Sequence, residues 1–165
     1  MLFTIGYGNS DLAGLLERCQ KFGIDHLVDV RTNPYSRYQV DFRQPDFSRN
    51  LKKNGFKYTF LGDTIGGKPD WPEVLVAGKV EGELLAKDHR FQKGLDVLQR
   101  QIESGAVGIA LLCGCGDPAS CHRGRWIGRE LLLRGIECSH VLTDGTQISQ
   151  STIQSKMTDQ SSLFG

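Results

Sequence analysis

The sequence predicts an α/β fold, a three-layer sandwich with a mainly parallel sheet, on three observations. Short apolar runs of strand length alternate with segments of helical period. One run, VGIALL from Val107 to Leu112, is continuously apolar, as a strand covered on both faces must be. The chemistry-bearing motifs also fall directly after the strand segments, at the edge where parallel sheets collect ligands.

The elements follow in order. Leu2 to Gly6 reads as a strand, and Ser10 to Phe22 as a helix with Leu12, Leu15, Leu16, Cys19 and Phe22 on its buried stripe and Gly23 closing it. Strands at His26 to Val30 and Lys57 to Leu61 flank a basic, aromatic stretch, and the Gly/Pro-rich run Gly62 to Pro72 reads as a loop or lid. Phe91, Leu95, Leu98 and Ile102 mark a helix, followed by the VGIALL strand. Asp117-Pro118 offers an N-cap and a first-position proline for a helix that places Cys121, His122 and Arg123 in or near its first turn. Ile136 to Leu142 is the last strand. Residues 1–143 thus form one domain, and 144–165, rich in Ser, Thr, Gln and Asp with few apolar anchors, are expected to be a flexible polar tail.

A chain of 165 residues buries enough surface to fold without staples, and a net charge of +1 excludes an indiscriminate polycation. Five cysteines, an odd number, with no signal peptide and no apolar run near 18 residues, point to a soluble cytoplasmic protein with free thiols and no membrane association.

The densest chemistry is LLCGCGDPASCHRGR, Leu111 to Arg125, which holds three thiols, an imidazole and two guanidinium groups between a strand and a helix. Cys121 is the leading catalytic thiol, because a helix start and nearby arginines favour its thiolate, with His122 as acid or base and Cys113 at the strand end. The competing account is a buried cysteine and a capping histidine, with Arg123 paired to Asp29 or Asp117. Phosphatase or rhodanese chemistry fails on spacing: the position six after Cys113 is Ala119, and six after Cys115 is Cys121, where an arginine is required. Cys113, Cys115, Cys121 and His122 have the atoms of a zinc site, but all four lie within ten residues rather than in two separated pairs. No cofactor is expected, and zinc is the alternative. Cys19 and Cys138 read as core residues.

Asp29 is a candidate general base, with Arg31 and Arg37 to hold phosphate, unless Asp29 and an arginine form an internal ion pair. Tyr7, Asn9, Gly66, Gly67 and Arg123 complete the expected substrate or anion site. From Arg31 to Phe60, seven basic and two acidic residues interleave with seven aromatics, a composition suited to nucleic acid.

Four of these stretches, TIGYGN (Thr4 to Asn9), LVDVRTNPYSR (Leu27 to Arg37), LGDTIGG (Leu61 to Gly67) and LLCGCGDPASCHR (Leu111 to Arg123), together resemble the bacterial and archaeal family catalogued as domain of unknown function 488. The resemblance runs to about residue 142. It implies a Rossmann-like α/β fold and a site built from these motifs, and assigns no reaction. The family usually has T-I-G-H-S where this chain has Thr4 to Gly8, and often an acidic residue at Cys115, so proton transfer here falls to Tyr7, Cys115 or another group. The final QSSLFG is similar to the Q-x-x-L-F peptide with which bacterial replication and repair proteins dock on the sliding clamp, through Gln160, Leu163 and Phe164. The expected function is a DNA-repair or nucleotide-processing enzyme recruited by that clamp. The alternatives are a non-catalytic nucleic-acid or nucleotide binding module and a metal- or redox-sensing protein.

Overall fold

Strand-length apolar runs become strands and amphipathic segments become helices in this computed structural model, which describes residues 1–105 and 108–163, with backbone only beyond residue 158. The elements are β1 (Leu2–Gly6), α1 (Leu12–Lys21), β2 (His26–Asp29), α2 (Asp46–Lys53), β3 (Lys57–Phe60), α3 (Gly62–Ile65), β4 (Leu75–Val76), β5 (Lys79–Val80), α4 (Gly82–Lys87), α5 (His89–Glu103) and β6 (Ile109–Cys113). A π-helical segment (Arg123–Gly128) runs into α6 (Arg129–Leu133), followed by β7 (Cys138–Val141), β8 (Gln147–Ser149) and α7 (Gln150–Leu163). Among the described residues, no helix is long and apolar enough to cross a membrane.

The central sheet has the order β3-β2-β6-β1-β7-β8, with the first five strands parallel and β8 antiparallel to β7. Register aligns the carboxyl ends, since Gly6 lies opposite Cys113 and Asp29 opposite Leu112. The chain steps one way from β1 to β2 to β3 and the other way from β3 to β6 to β7, so right-handed crossovers put their helices on opposite faces. The two cores agree. Phe3, Ile5, Leu27 and Leu112 pack with Leu15, Cys19, Phe47 and Leu51 of α1 and α2, whereas Val28, Ile109 and Leu111 pack with Phe91, Leu95, Leu98 and Leu131 of α5 and α6. This is the three-layer Rossmann-like sandwich expected. β6 sends its connection to the opposite face from those of both neighbours, β1 and β2, and crevices therefore open beside its carboxyl end.

Local signals set the helix ends. Asp11 caps α1 by accepting from the Gly14 N–H at 2.8 Å, and Gly23 closes it at φ +64°, which favours glycine.

Three segments differ from the sequence expectation. The run 62–72 is only partly loop: it opens with α3 and leads through a short 3-10 turn (Pro72–Val74) into the β4–β5 hairpin. The helix after β6 starts later than Asp117-Pro118 predicts, because Asp117 Oδ1 spends its cap on the Ala119 N–H in a separate turn, leaving Cys121 just before the helix. Residues 144–163 also fold onto the domain rather than forming a free tail. β8 pairs with β7, Ile153 is buried, and the buried Gln150 accepts from His140 Nε2 at 2.7 Å. Strand pairing, side-chain hydrogen bonds and a single apolar anchor do this, so the polar composition gave no sign of it. The side chains of Gln160 and Leu163, and all of Phe164, lie outside the described residues, as does Val107.

Candidate functional site

The carboxyl ends of β1, β2 and β6 open into a cleft of about 700 Å³ whose lining includes Tyr7, Arg31, Gly67, Cys113, Cys115, Cys121 and His122. Of the residues singled out from sequence, these seven line the same cavity. Thr32, Asn33, Tyr35, Lys68, Gly114, Ser120, Arg125 and Trp126 complete the lining.

One wall is an ion pair. Asp29 is fully buried, and its carboxylate accepts from Arg31 Nε at 2.9 Å, Arg31 Nη2 at 2.6 Å, the Arg31 N–H at 3.1 Å and the Tyr58 hydroxyl at 2.8 Å. Arg31 Nη1 also donates to the Phe42 carbonyl at 2.9 Å. Burial pulls the Arg31 guanidinium down, but its bonds to Asp29, and then Tyr7, hold it above its ordinary value. Burial and the adjacent carboxylate both push Tyr58 up. The arrangement is thus the internal pair, and it leaves Asp29 no oxygen aimed at a substrate.

The other wall is the Cys/His cluster. Cys113 ends β6, the chain turns through 114–120, and Cys121 and His122 return to it. His122 Nε2 lies 2.9 Å from the Val30 carbonyl. A carbonyl only accepts, so Nε2 carries a proton, and in the neutral ring Nδ1 is then a bare acceptor. Two thiols address that nitrogen, Cys121 Sγ at 3.6 Å and Cys113 Sγ at 3.8 Å. The Cys113 hydrogen bond lowers the Cys121 pKa against the opposing effect of burial, helped by the Arg123 N–H and guanidinium charge. Cys115, exposed at the mouth, is pushed up, first by its contact with Cys113 and then by burial of its sulfur. Gly67 is a close-approach position: a Cβ there would sit 2.6 Å from His122 Nδ1.

Arg123 departs from its predicted role. It is fully buried and does not line the cleft; it donates to Thr4 Oγ1 at 3.1 Å and to the carbonyls of Cys115 and Gly116 at 3.1 and 2.9 Å. It braces the cysteine loop from behind, pairing with neither Asp29 nor Asp117. Thr4 in turn bonds His140 Nδ1 at 2.7 Å, continuing through His140 to Gln150. Asn9 sits in an adjoining pocket with Gly8, Ser10, Gly114, Gly116 and Thr143. Arg37 is exposed outside the cleft lining, and Gly66 packs against Thr32 and the Gly62 carbonyl rather than facing the cavity.

Lys68 and Trp126 were not singled out from sequence. Arg125 and Trp126 stand four positions after Cys121 and His122, so helical spacing carries a signal for both; nothing in the sequence marks Lys68. Neither Lys68 nor Arg125 is ion-paired with a carboxylate among the described residues.

Comparison with the curated proteins and with the solved structures gave no match. A family profile does match, over residues 11–127, a span that includes β2 with Asp29 and Arg31, Gly67 and the whole cysteine loop. On that match the chain belongs to the family described as Domain of unknown function DUF488.

Proposed function

We propose that this protein is a nucleotide- or nucleic-acid-processing enzyme of hydrolase or lyase type, acting in DNA repair in a reducing cytoplasm. Its reacting groups are Cys113, Cys121 and His122. The observation that carries the reading is the convergence, in one cleft, of these groups with two aromatic rings and two cations that form no ion pair among the described residues. Lys68 and Arg125 suit phosphate, Tyr35 and Trp126 suit a base, and a volume of about 700 Å³ lies within the usual range for a small-molecule site. The C-terminal Gln160, Leu163 and Phe164, the first two at the end of α7, supply recruitment to the sliding clamp through their Q-x-x-L-F pattern.

The test is turnover by the reduced protein on modified nucleotides and oligonucleotides. Cys121→Ala should abolish product while the protein stays folded. Salt-dependent DNA affinity with no product would instead make the chain a binding module. Clamp association should vanish in a Leu163→Ala/Phe164→Ala variant; a variant that binds as well as the parent refutes recruitment by this peptide.

A second reading is favoured by one specific observation: the ligand atoms of Cys113, Cys121 and His122 all lie within 4.8 Å of one another, so the centre can hold a metal ion.

A further inference from the structure

We propose that Cys113, Cys121 and His122 are three fixed ligands of a tetrahedral zinc ion, with Cys115 as the fourth and displaceable one. This rests on the metal-binding reading of the cleft and names the ion, its ligands and its open side.

The sequence argues against such a site, because the four residues lie within ten positions of each other. The fold answers that objection. Cys113 is fixed at the end of a buried strand, while Cys121 and His122 enter the following helix, so the loop 114–120 brings two separately anchored elements together. The separations fit the ion. Zinc bonds of about 2.3 Å to sulfur and about 2.0–2.1 Å to nitrogen give a tetrahedron whose sulfur–nitrogen edges are about 3.6 Å and sulfur–sulfur edges about 3.8 Å. The two sulfur–nitrogen distances are 3.6 and 3.8 Å, and all three atoms lie within 4.8 Å.

The three ligand atoms converge on one another. With Nε2 protonated toward Val30, His122 offers a single lone pair at Nδ1, yet two thiols are directed at it. One lone pair accepts from one thiol at a time and leaves the other to the neighbouring sulfur, whereas one cation binds both sulfurs and the nitrogen directly. The Val30 carbonyl also supplies what ligating histidines need, a partner that fixes the ring and its tautomer. Thiolate and imidazole donors in tetrahedral array select zinc among common divalent ions.

Cys115 lines the same cleft, and it alone of the four is exposed; its sulfur stands outside the group within 4.8 Å, so it is the ligand that swings in to close the tetrahedron. Fixed ligands that are buried or half-buried, with one exposed ligand facing the cleft, give a centre that can open a coordination position toward substrate. Cys121 is then a ligand, and the reacting group is whatever occupies that fourth position.

The experiment uses the full reduced chain, stripped with chelator, titrated with zinc against a colorimetric competitor and separately with cobalt(II). One equivalent should bind, and cobalt should give intense tetrahedral d–d bands with thiolate charge transfer. Cys121→Ser and His122→Ala should each weaken zinc by at least about 100-fold, the upper end of what even an outer-sphere partner is worth. Cys115→Ser should keep the metal with smaller loss and altered cobalt bands, which guards against misfolding in the buried variants. Cys138→Ser, in the core, should bind as the parent does. No zinc uptake at micromolar metal, or uptake indifferent to Cys121→Ser, overturns the site. Zinc binding without turnover on any nucleotide keeps the site and sinks the enzymatic reading; turnover by metal-free protein keeps the enzyme and overturns the zinc as a centre that opens toward substrate.

Discussion

The two walls of the cleft carry comparable chemistry and differ in how much of it is already spent. On the Asp29–Arg31 side, the carboxylate and most of the guanidinium are taken up by Tyr58, Phe42 and each other, so the charges hold the fold together. On the Cys113–Cys121–His122 side, the contacts to Nδ1 are long ones from weak sulfur donors, at 3.6 and 3.8 Å, and the groups face the cleft, so their capacity stays available. A polar residue at a strand end becomes a site only when its bonding capacity is left over. Closure marks a structural element, and surplus marks a functional one.

The largest expected effect tests the closed wall. Asp29→Ala leaves the Arg31 guanidinium buried without its counter-charge, and breaking a buried pair from one side costs about 3–5 kcal/mol. Cys121→Ala on the open wall should cost nearer the ordinary value of about 1 kcal/mol while abolishing activity. Denaturant unfolding of both variants checks this. If they lose stability equally, the distinction between a structural and a reactive wall fails.

That distinction also sets what the sequence could tell. Periodicity and β-branched or leucine-rich runs were enough for the layers and the five parallel strands, because β1, β2 and β6 are apolar where the structure covers them, whereas the short β4, β5 and β8 carry no such run. The thiols, His122, Arg31 and Gly67 were legible because they follow strands. Bonding state was not, since it depends on partners distant in sequence: Tyr58 lies 29 residues from Asp29, and the Val30 carbonyl lies 92 from His122. Arg123 illustrates the same gap. Its place beside Cys121 suggested an anion ligand, but Gly6, which has no room for a Cβ against the Cys115 carbonyl, lets the loop close over β1 and turns Arg123 inward. The segment after residue 144 was misjudged because a chain with one buried isoleucine and one buried glutamine has no stripe to detect.

The chain of bonds behind the loop, Arg123 to Thr4 to His140 to Gln150, is buried but leaves Arg123 Nε and Gln150 Nε2 without partners, and it gives the next effect through His140. Burial holds His140 down to about 4 from its ordinary 6.5, against the Gln150 hydrogen bond, which raises it. Between those values the unfolded chain binds a proton that the folded chain refuses, so stability falls as pH drops through the window, by about 3 kcal/mol at its lower end. Asp88, held down to about 2 chiefly by its hydrogen bond to Arg90, contributes its loss only below its ordinary value of 3.8. Unfolding measured from pH 7 to pH 4 should show this slope, and His140→Ala should flatten it at the expense of overall stability. An unchanged slope in the variant would assign the proton to another group.

The smallest effect on the fold, and the sharpest test of the open wall, comes from Gly67→Ala. Gly67 is half-buried and its φ lies outside the left-handed region, so alanine brings no backbone strain. The added methyl would stand 2.6 Å from His122 Nδ1 and 2.7 Å from Cγ, closer than side-chain carbons approach other atoms. The imidazole must move while the sheet edge that carries Val30 stays in place. A displacement near 1 Å at a reacting group can cost about 100-fold in rate. The variant should therefore unfold within about 1 kcal/mol of the parent, in the ordinary range for a substitution away from the core, yet lose turnover by one to two orders of magnitude. The same shift should separate Nδ1 from both thiols and weaken anything the three atoms hold in common. Full activity in a folded Gly67→Ala protein would mean that His122 Nδ1 is as idle as the Asp29 carboxylate, and the two walls would no longer differ.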